Sequence, residues 1–236
     1  MKFHYVLKNS IKAIIKYTCG KRISGLKIPE NVRIVSFDLF DTLVLRKVGN
    51  YRNVFLKVEE KYESLYGERC SFKELRIQAE QEARKHSGKR EISFDRIYSE
   101  LLELSGYSEK LIEILRNLEL EVEIETCIPN EEMIDALKRA LSMGCDVIIV
   151  SDMYLDTDFL KKILEKCDIR GYLRLYVSSA NGKTKRHGDL FKYILDDLHV
   201  NTREIIHIGD NPIGDYLIPK INKMNSFLYR AEMEIV

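Results

Sequence analysis

The sequence predicts an α/β protein: a parallel sheet whose first strand is followed by an inserted block of helices. Three observations carry this. The stretch Val32-Arg33-Ile34-Val35-Ser36-Phe37 is apolar and β-branched, free of Gly and Pro, and ends at Asp38 and Asp41, the pattern of a buried strand feeding a polar turn. About eighty residues of helical periodicity without a strand follow it, too many for a simple crossover connection. From Pro129 onward strand and helix patterns alternate, as they do when crossover helices cover both faces of a parallel sheet.

The 236 residues suffice for one sizeable core and a smaller accessory unit. A net charge of +1 gives no global reason to expect a nucleic-acid partner. The charge is unevenly spread. Residues 1–33 hold Lys2, Lys8, Lys12, Lys16, Lys21, Arg22, Lys27 and Arg33 against Glu30 alone, which makes that segment +7 and the remainder −6. Cys19, Cys70, Cys127, Cys145 and Cys167 are odd in number and lack CxxC spacing, so a disulfide framework and a zinc site are not expected and a reducing cytoplasm fits. No apolar run reaches the roughly 18 residues of a membrane span, and Lys12 and Lys16 interrupt any signal-like apolar stretch.

In chain order, Phe3–Tyr17 reads as an amphipathic helix with Phe3, Leu7, Ile11, Ile14 and Ile15 on one side and lysines opposite. Such a helix packs on its own domain or lies on an anionic surface; a peripheral membrane association through residues 1–27 is the corresponding partner expectation. Residues 1–30 form this helix and a linker. Residues 47–125 form the helical insert: Tyr51–Tyr66 stopped by Gly67, a capping box at Ser71-Phe72-Lys73-Glu74, and helices opened by Ser93 and Ser108. The alternating Glu119, Glu121, Glu123 and Glu125 read as a solvated face. Residues 31–46 and 126–236 form the α/β core, where Asn130 is read as a helix cap and strands fall at Cys145–Val150, Leu173–Val177, Glu204–Ile208 and Ser226–Tyr229.

Strand ends deliver polar groups to one crevice of a parallel sheet. Here these are Asp38 and Asp41, then Ser151 and Asp152, then Asp210, Asn211 and Asp215, with Lys185 leading a helix. Each has an ordinary reading as a turn, helix-start or loop residue, yet their coincidence at consecutive strand ends suits phosphoryl transfer. Carboxylates hold Mg²⁺, which neutralises phosphate charge, while a lysine and a hydroxyl stabilise the transferring oxygens.

The four stretches Phe37-Asp38-Leu39-Phe40-Asp41-Thr42-Leu43, Val147–Ser151, Lys185 with Gly188 and Phe191, and Gly209-Asp210-Asn211 through Asp215 resemble the motifs of the haloacid dehalogenase (HAD) superfamily. The resemblance covers Val32 to the end of the chain. It implies a Rossmann-like core with a C1-type helical cap, and a hydrolase. Asp38 would be the nucleophile, and Asp38, the Phe40 backbone carbonyl and Asp210 would hold Mg²⁺. Ser151, Asp152 and Lys185 would bind phosphate, with Asp215, Asn211 and Thr42 supporting them. More narrowly, Ser36–Val44, Ser151-Asp152-Met153-Tyr154-Leu155 and His207–Asn211 look like predicted HAD hydrolases associated with glycosyltransferases and surface-polysaccharide synthesis.

One position departs from the pattern. Phosphatases of this superfamily usually carry a second Asp two residues after the nucleophile, and here Phe40 stands there. Asp41 is the candidate replacement acid–base, one residue further on. The expectation is a Mg²⁺-dependent phosphatase acting on a small phosphorylated metabolite. The alternatives are a metal-independent dehalogenase, which also lacks that second Asp, and a phospho-ligand-binding module with little or no catalysis.

Overall fold

The computed structural model describes residues 2–88 and 91–231, with the side chains of the first helix described from Ser10 onward. Five strands, β1 (Ile34–Phe37), β4 (Asp146–Ser151), β5 (Arg174–Val177), β6 (Ile205–Gly209) and β7 (Asn225–Leu228), form one sheet in the order β5-β4-β1-β6-β7. Every neighbouring pair is parallel. Phe37 of β1 lies opposite Ile149 of β4 and Ile208 of β6. The chain therefore leaves the three central strands at nearly one level, and Asp38, Ser151 and Asp210 emerge side by side.

The sheet is buried on both faces, which is why its strands read as continuous apolar runs. Val35, Phe37, Val147, Ile149 and Ile208 meet α6 (Glu131–Ser142) and α7 (Thr157–Lys166) in one core. Ile34, Ile148, Val150 and Ile205 turn the other way, onto Leu190, Phe191 and Ile194 of α9 (Asp189–Leu198). Each such side chain contributes about 1.5–3 kcal/mol through burial, so two layers of them fix the sheet level from which the site is built.

Two short strands absent from the sequence reading, β2 (Val44–Arg46) and β3 (Cys127–Pro129), pair antiparallel where the chain leaves and re-enters the core. Between them lie α2 (Arg52–Tyr66), α3 (Phe72–Ser87), α4 (Phe94–Ser105) and α5 (Glu109–Thr126). Gly67 ends α2 at φ 71°, and Ser93 and Ser108 cap α4 and α5 through their side chains as expected.

Three local expectations need correction. Ser71 makes no side-chain cap; the start of α3 is held instead by Glu59, whose carboxylate accepts from the Lys73 N–H at 2.9 Å. Asn130 makes none either, because its amide donates to the Thr42 carbonyl at 2.7 Å and the Tyr229 hydroxyl at 3.2 Å. The glutamates of α5 are not all solvated. Glu121 and Glu125 face Lys61 at the surface, but Glu119 is buried on Arg76 and Glu123 on Arg46.

The first helix, α1 (Lys2–Cys19), runs as the periodicity predicts, with its polarity reversed relative to packing through its apolar side. Lys16 and Lys12 turn toward the sheet's ligand end, while Ile11 and Ile14 are exposed. Phe3 and Leu7, named with that face in the sequence, have side chains outside the described residues.

Candidate active site

A cavity of about 510 Å³ opens at the carboxyl ends of the central strands. Its wall includes Asp38, Phe40, Asp41, Ser151, Asp152, Lys185, Asp210 and Asp215, joined by Lys12 of α1, Arg46 of β2 and Arg84 of α3. Almost every residue nominated from the sequence is thus brought to one place. Lys12, Arg46 and Arg84, also on that wall, come from segments with no recognisable motif.

Asp38 follows β1 directly, and its backbone N–H donates to the Ile208 carbonyl of β6 at 2.8 Å. The Thr42 hydroxyl donates to its Oδ2 at 3.3 Å. On the other carboxylate oxygen sits the ammonium of Lys185, which also contacts Asp215 Oδ1 at 2.7 Å. Lys185 is delivered by a short 3-10 turn, Lys185–His187, just ahead of α9. Asp152 fixes that turn: its carboxylate accepts from the backbone N–H of Lys185 at 2.8 Å and of Arg186 at 3.3 Å. Grouped with phosphate-binding residues in the sequence, Asp152 is occupied as an anchor for the lysine's loop, and its negative charge would repel a phosphate oxygen.

Asp215 lies in a π-helix, Pro212–Leu217, whose first turn is capped by the Asn211 side chain accepting from the Ile213 and Gly214 N–H groups. The Asn211 N–H donates to Asp215 Oδ2 at 2.9 Å. Behind Asp215 is a buried relay of two residues from the Ser36–Val44 and His207–Asn211 stretches, neither of which the sequence assigns a role: His207 Nε2 is 3.2 Å from Asp215 Oδ1, and His207 Nδ1 is 2.7 Å from Ser36 Oγ. Gly209 makes room for this arrangement. A Cβ there would lie 2.3 Å from Asp215 Oδ2, so only glycine lets the β6 backbone pass so close.

Asp210 is half-buried, and Lys16 Nζ reaches its Oδ2 at 2.8 Å from 194 residues away. Single carboxylate oxygens of Asp38, Asp210 and Asp215 all lie within 4.8 Å of one another. Such crowding has electrostatic consequences. Burial raises Asp38 well above the usual carboxylate range; Lys185 opposes this, while Asp215 and Asp210 add to it. Burial likewise pushes Asp210 up to about 6 against the pull of Lys16. Asp215 is buried too, but Lys185 and His207 more than offset that and keep it ionised far below the usual range. Lys185 remains charged despite burial because Asp215, Asp38 and Asp152 surround it. His207 is held neutral mainly by burial.

Asp41 lines the cavity from an exposed, left-handed position (φ 58°) in the turn after Asp38. Phe40 lies under the Arg46 guanidinium, 4.0 Å from its ring centroid. Ser151 is nearly buried at the end of β4 and faces the same cavity.

Residues 32–218 match the family model of the haloacid dehalogenase-like hydrolases. The chain belongs to this family. It is a HAD-like hydrolase with the family's α/β core. Comparison with curated proteins returned no match. Among solved structures, the HAD-like chain resembles the HAD-hydrolase YfnB from Bacillus subtilis, reported bound to magnesium, at 16% identity and a TM-score of 0.61, covering 87% of this chain and 92% of that one. It also resembles the 2-haloacid dehalogenase from Pseudomonas syringae pv. Tomato DC3000 (18% identity, TM-score 0.60, covering 86% and 90%). A further match is the L-2-haloacid dehalogenase from Xanthobacter autotrophicus with chloropropionic acid covalently bound (15% identity, TM-score 0.56, covering 86% and 80%). At these identities the likeness establishes the shared fold.

Proposed function

We propose that this HAD-like hydrolase is a Mg²⁺-dependent phosphohydrolase acting on a small phosphorylated metabolite through an aspartyl-phosphate on Asp38. The observation that carries the reading is the carboxylate trio of Asp38, Asp210 and Asp215. Within the trio Asp215 serves Lys185 in either chemistry, but a carboxylate displacing halide from carbon has no need of Asp210 as a further acid at its side. A carboxylate attacking a phosphate dianion needs a divalent cation between them, and hard oxygen donors suit Mg²⁺. The magnesium-bound relative lends the same support.

The residues present fit such an ion. Asp38 and Asp210, with the backbone carbonyl of Phe40, would hold it, and Asp215 would act from behind on Lys185. When bound, the cation would neutralise charge on the phosphoryl group and offset the burial and carboxylate repulsion that raise Asp38 and Asp210. The chain's own groups do the rest. The ionised carboxylate of Asp38 forms a bond to phosphorus as the ester P–O bond breaks. Lys185 and the Ser151 hydroxyl donate to the phosphoryl oxygens as their charge redistributes. The departing alkoxide takes a proton from Asp41 or from water, and water then cleaves the acyl phosphate, returning Asp38 and releasing inorganic phosphate. Since Phe40 has no proton to give, turnover of poor leaving groups rests on Asp41.

The test is phosphate release from a panel of sugar phosphates with and without Mg²⁺, for wild type and Asp38→Asn. Mg²⁺-dependent release that disappears in Asp38→Asn is the expected result; equal release by the variant rejects the nucleophile. Asp41→Asn should slow substrates with poor leaving groups by about 10²–10⁴-fold. The Phe40 position and the dehalogenase likenesses favour a second reading, metal-independent dehalogenation. Chloride release from 2-chloropropionate in the presence of a chelator, with no phosphatase activity, would establish it instead.

A further inference from the structure

Helix α1 carries no acidic residue and four lysines, Lys2, Lys8, Lys12 and Lys16. In a helix of this composition the ordinary arrangement buries the apolar stripe and hydrates the lysines. Here the described part does the opposite. Lys16 is pinned to Asp210 and Lys12 lines the cavity. Ile15 and Cys19 share that inner side and are half-buried. The outer side presents Ser10, Ile11, Ala13, Ile14, Tyr17 and Thr18, all exposed and spaced three or four apart, with Ile11 at 46%, Ile14 at 61% and Tyr17 at 79% exposure. No described element covers this stripe.

We infer that the outer face of α1 is a docking surface for an anionic lipid bilayer, and that it seats the chain with its catalytic cavity beside the membrane surface. The occupant follows from charge. With Lys12 and Lys16 turned to the active site, the outward cations near this face are Lys21, Arg22 and Lys27, exposed just beyond the helix, in a stretch where Glu30 is the one acid of the first 33 positions. Arg230 adds a further positive group beside Tyr17: its guanidinium donates to the Tyr17 carbonyl at 3.1 Å and lies 5.8 Å from the ring centroid. An apolar stripe that ends in a tyrosine, with Arg230 beside that ring and Lys21 and Arg22 just beyond it, has the amphipathic form that sits at the headgroup boundary. It does not cross the bilayer, for no described helix is long and apolar enough. The pairing of Lys16 with Asp210 fixes which way the stripe points, so the helix has one face on the active site and the other free for lipid.

The experiment is flotation of the full chain with vesicles of phosphatidylcholine alone and of phosphatidylcholine mixed with phosphatidylglycerol, for wild type and for Ile11→Asp/Ile14→Asp. Both replaced side chains are exposed and outside the catalytic residues, so the variant keeps its fold and its turnover of soluble phosphoesters. Wild type should float with the anionic vesicles, and release them at high salt because Lys and Arg supply part of the attraction. The double variant should bind them on the order of a hundredfold more weakly. Wild type remaining at the bottom with anionic vesicles, or a variant that floats as well as wild type, overturns the inference and leaves the stripe to a protein partner. Hydrolytic activity is read separately in the same samples, so loss of the phosphohydrolase reading and loss of the membrane reading are distinguishable.

Discussion

At the scale of single residues, the site depends on close approaches that tolerate no added atom. Gly209→Ala places a methyl group 2.3 Å from Asp215 Oδ2, and the carboxylate that holds Lys185 must move. The expected outcome is a folded protein with a loss of about 10²-fold or more in kcat, since a displaced transition-state donor costs on the order of 2.7–4 kcal/mol; steady-state kinetics beside a thermal melt would show it. Lys16 sets a different prediction. Its ammonium occupies one oxygen of Asp210, an oxygen the proposed cation must share or take. The pair is partly exposed and is worth roughly 0.2–1 kcal/mol, so Lys16→Ala should bind Mn²⁺ about two- to fivefold more tightly in an electron paramagnetic resonance titration. Weaker binding would mean that Lys16 supports the ion site and does not compete for it. The motif residues were legible in the sequence because each lies within a short signature, Asp38, Ser151 and Asp210 at strand ends and Lys185 just ahead of α9. Lys16 and Lys12 were not, because nothing local distinguishes a lysine that will meet Asp210 from one that faces water.

Among the elements, the inserted helices are held by a buried ion pair. Arg76 of α3 is fully buried and donates to both carboxylate oxygens of Glu119 in α5, at 2.8 and 2.9 Å. The Tyr98 hydroxyl of α4 adds a third hydrogen bond to Glu119 at 2.7 Å. The guanidinium also lies over Phe55 of α2 and over Tyr154, which follows β4, so one side chain touches the helical insert and the core together. Removing it leaves a buried carboxylate uncompensated. Arg76→Ala should therefore lower unfolding free energy by about 3–5 kcal/mol, whereas Arg76→Met combined with Glu119→Leu should recover most of it, as measured by urea denaturation. A single variant no less stable than wild type would show that the pair carries no such weight. This network explains why the glutamates of α5 were misread. Their period-two spacing looks like a hydrated face, but α5 turns its 119 and 123 positions inward, where arginines from distant segments neutralise them. Helix existence and the caps at Ser93 and Ser108 were readable because they depend on neighbours in sequence. The β2–β3 pair was not, since three-residue strands carry no periodicity of their own.

For the molecule as a whole, the parallel sheet could be read from sequence because both of its faces are buried, and continuous apolar runs of that kind admit few other folds. What closes the structure around those strands could not be read, and Tyr229 is an instance. It lies past the end of β7, buried, with its N–H on the Gly209 carbonyl at 2.8 Å. Its hydroxyl donates to Glu132 at the start of α6 and accepts from Asn130, whose amide also holds the Thr42 carbonyl. One phenol thus links the last strand, the helix that follows the inserted segment and the turn that carries Asp38. Burial, with Glu132 beside it, pushes the Tyr229 hydroxyl up to about 12 from an ordinary 10.0. The folded state then keeps a proton that the unfolded chain releases first. Stability from this group is complete below about pH 10 and is lost as pH rises through about 12. Tyr98, Tyr154 and Tyr176 are raised in the same direction, so the whole protein should lose stability steeply in alkali. Tyr229→Phe isolates one share: it should be less stable than wild type at pH 8 by about 1–2 kcal/mol for the lost hydrogen bonds, with a gap that narrows as pH rises past 10. Urea midpoints measured from pH 8 upward test this, and a gap that stays constant or widens would show that the Tyr229 proton is not what ties the last strand to the Asp38 turn.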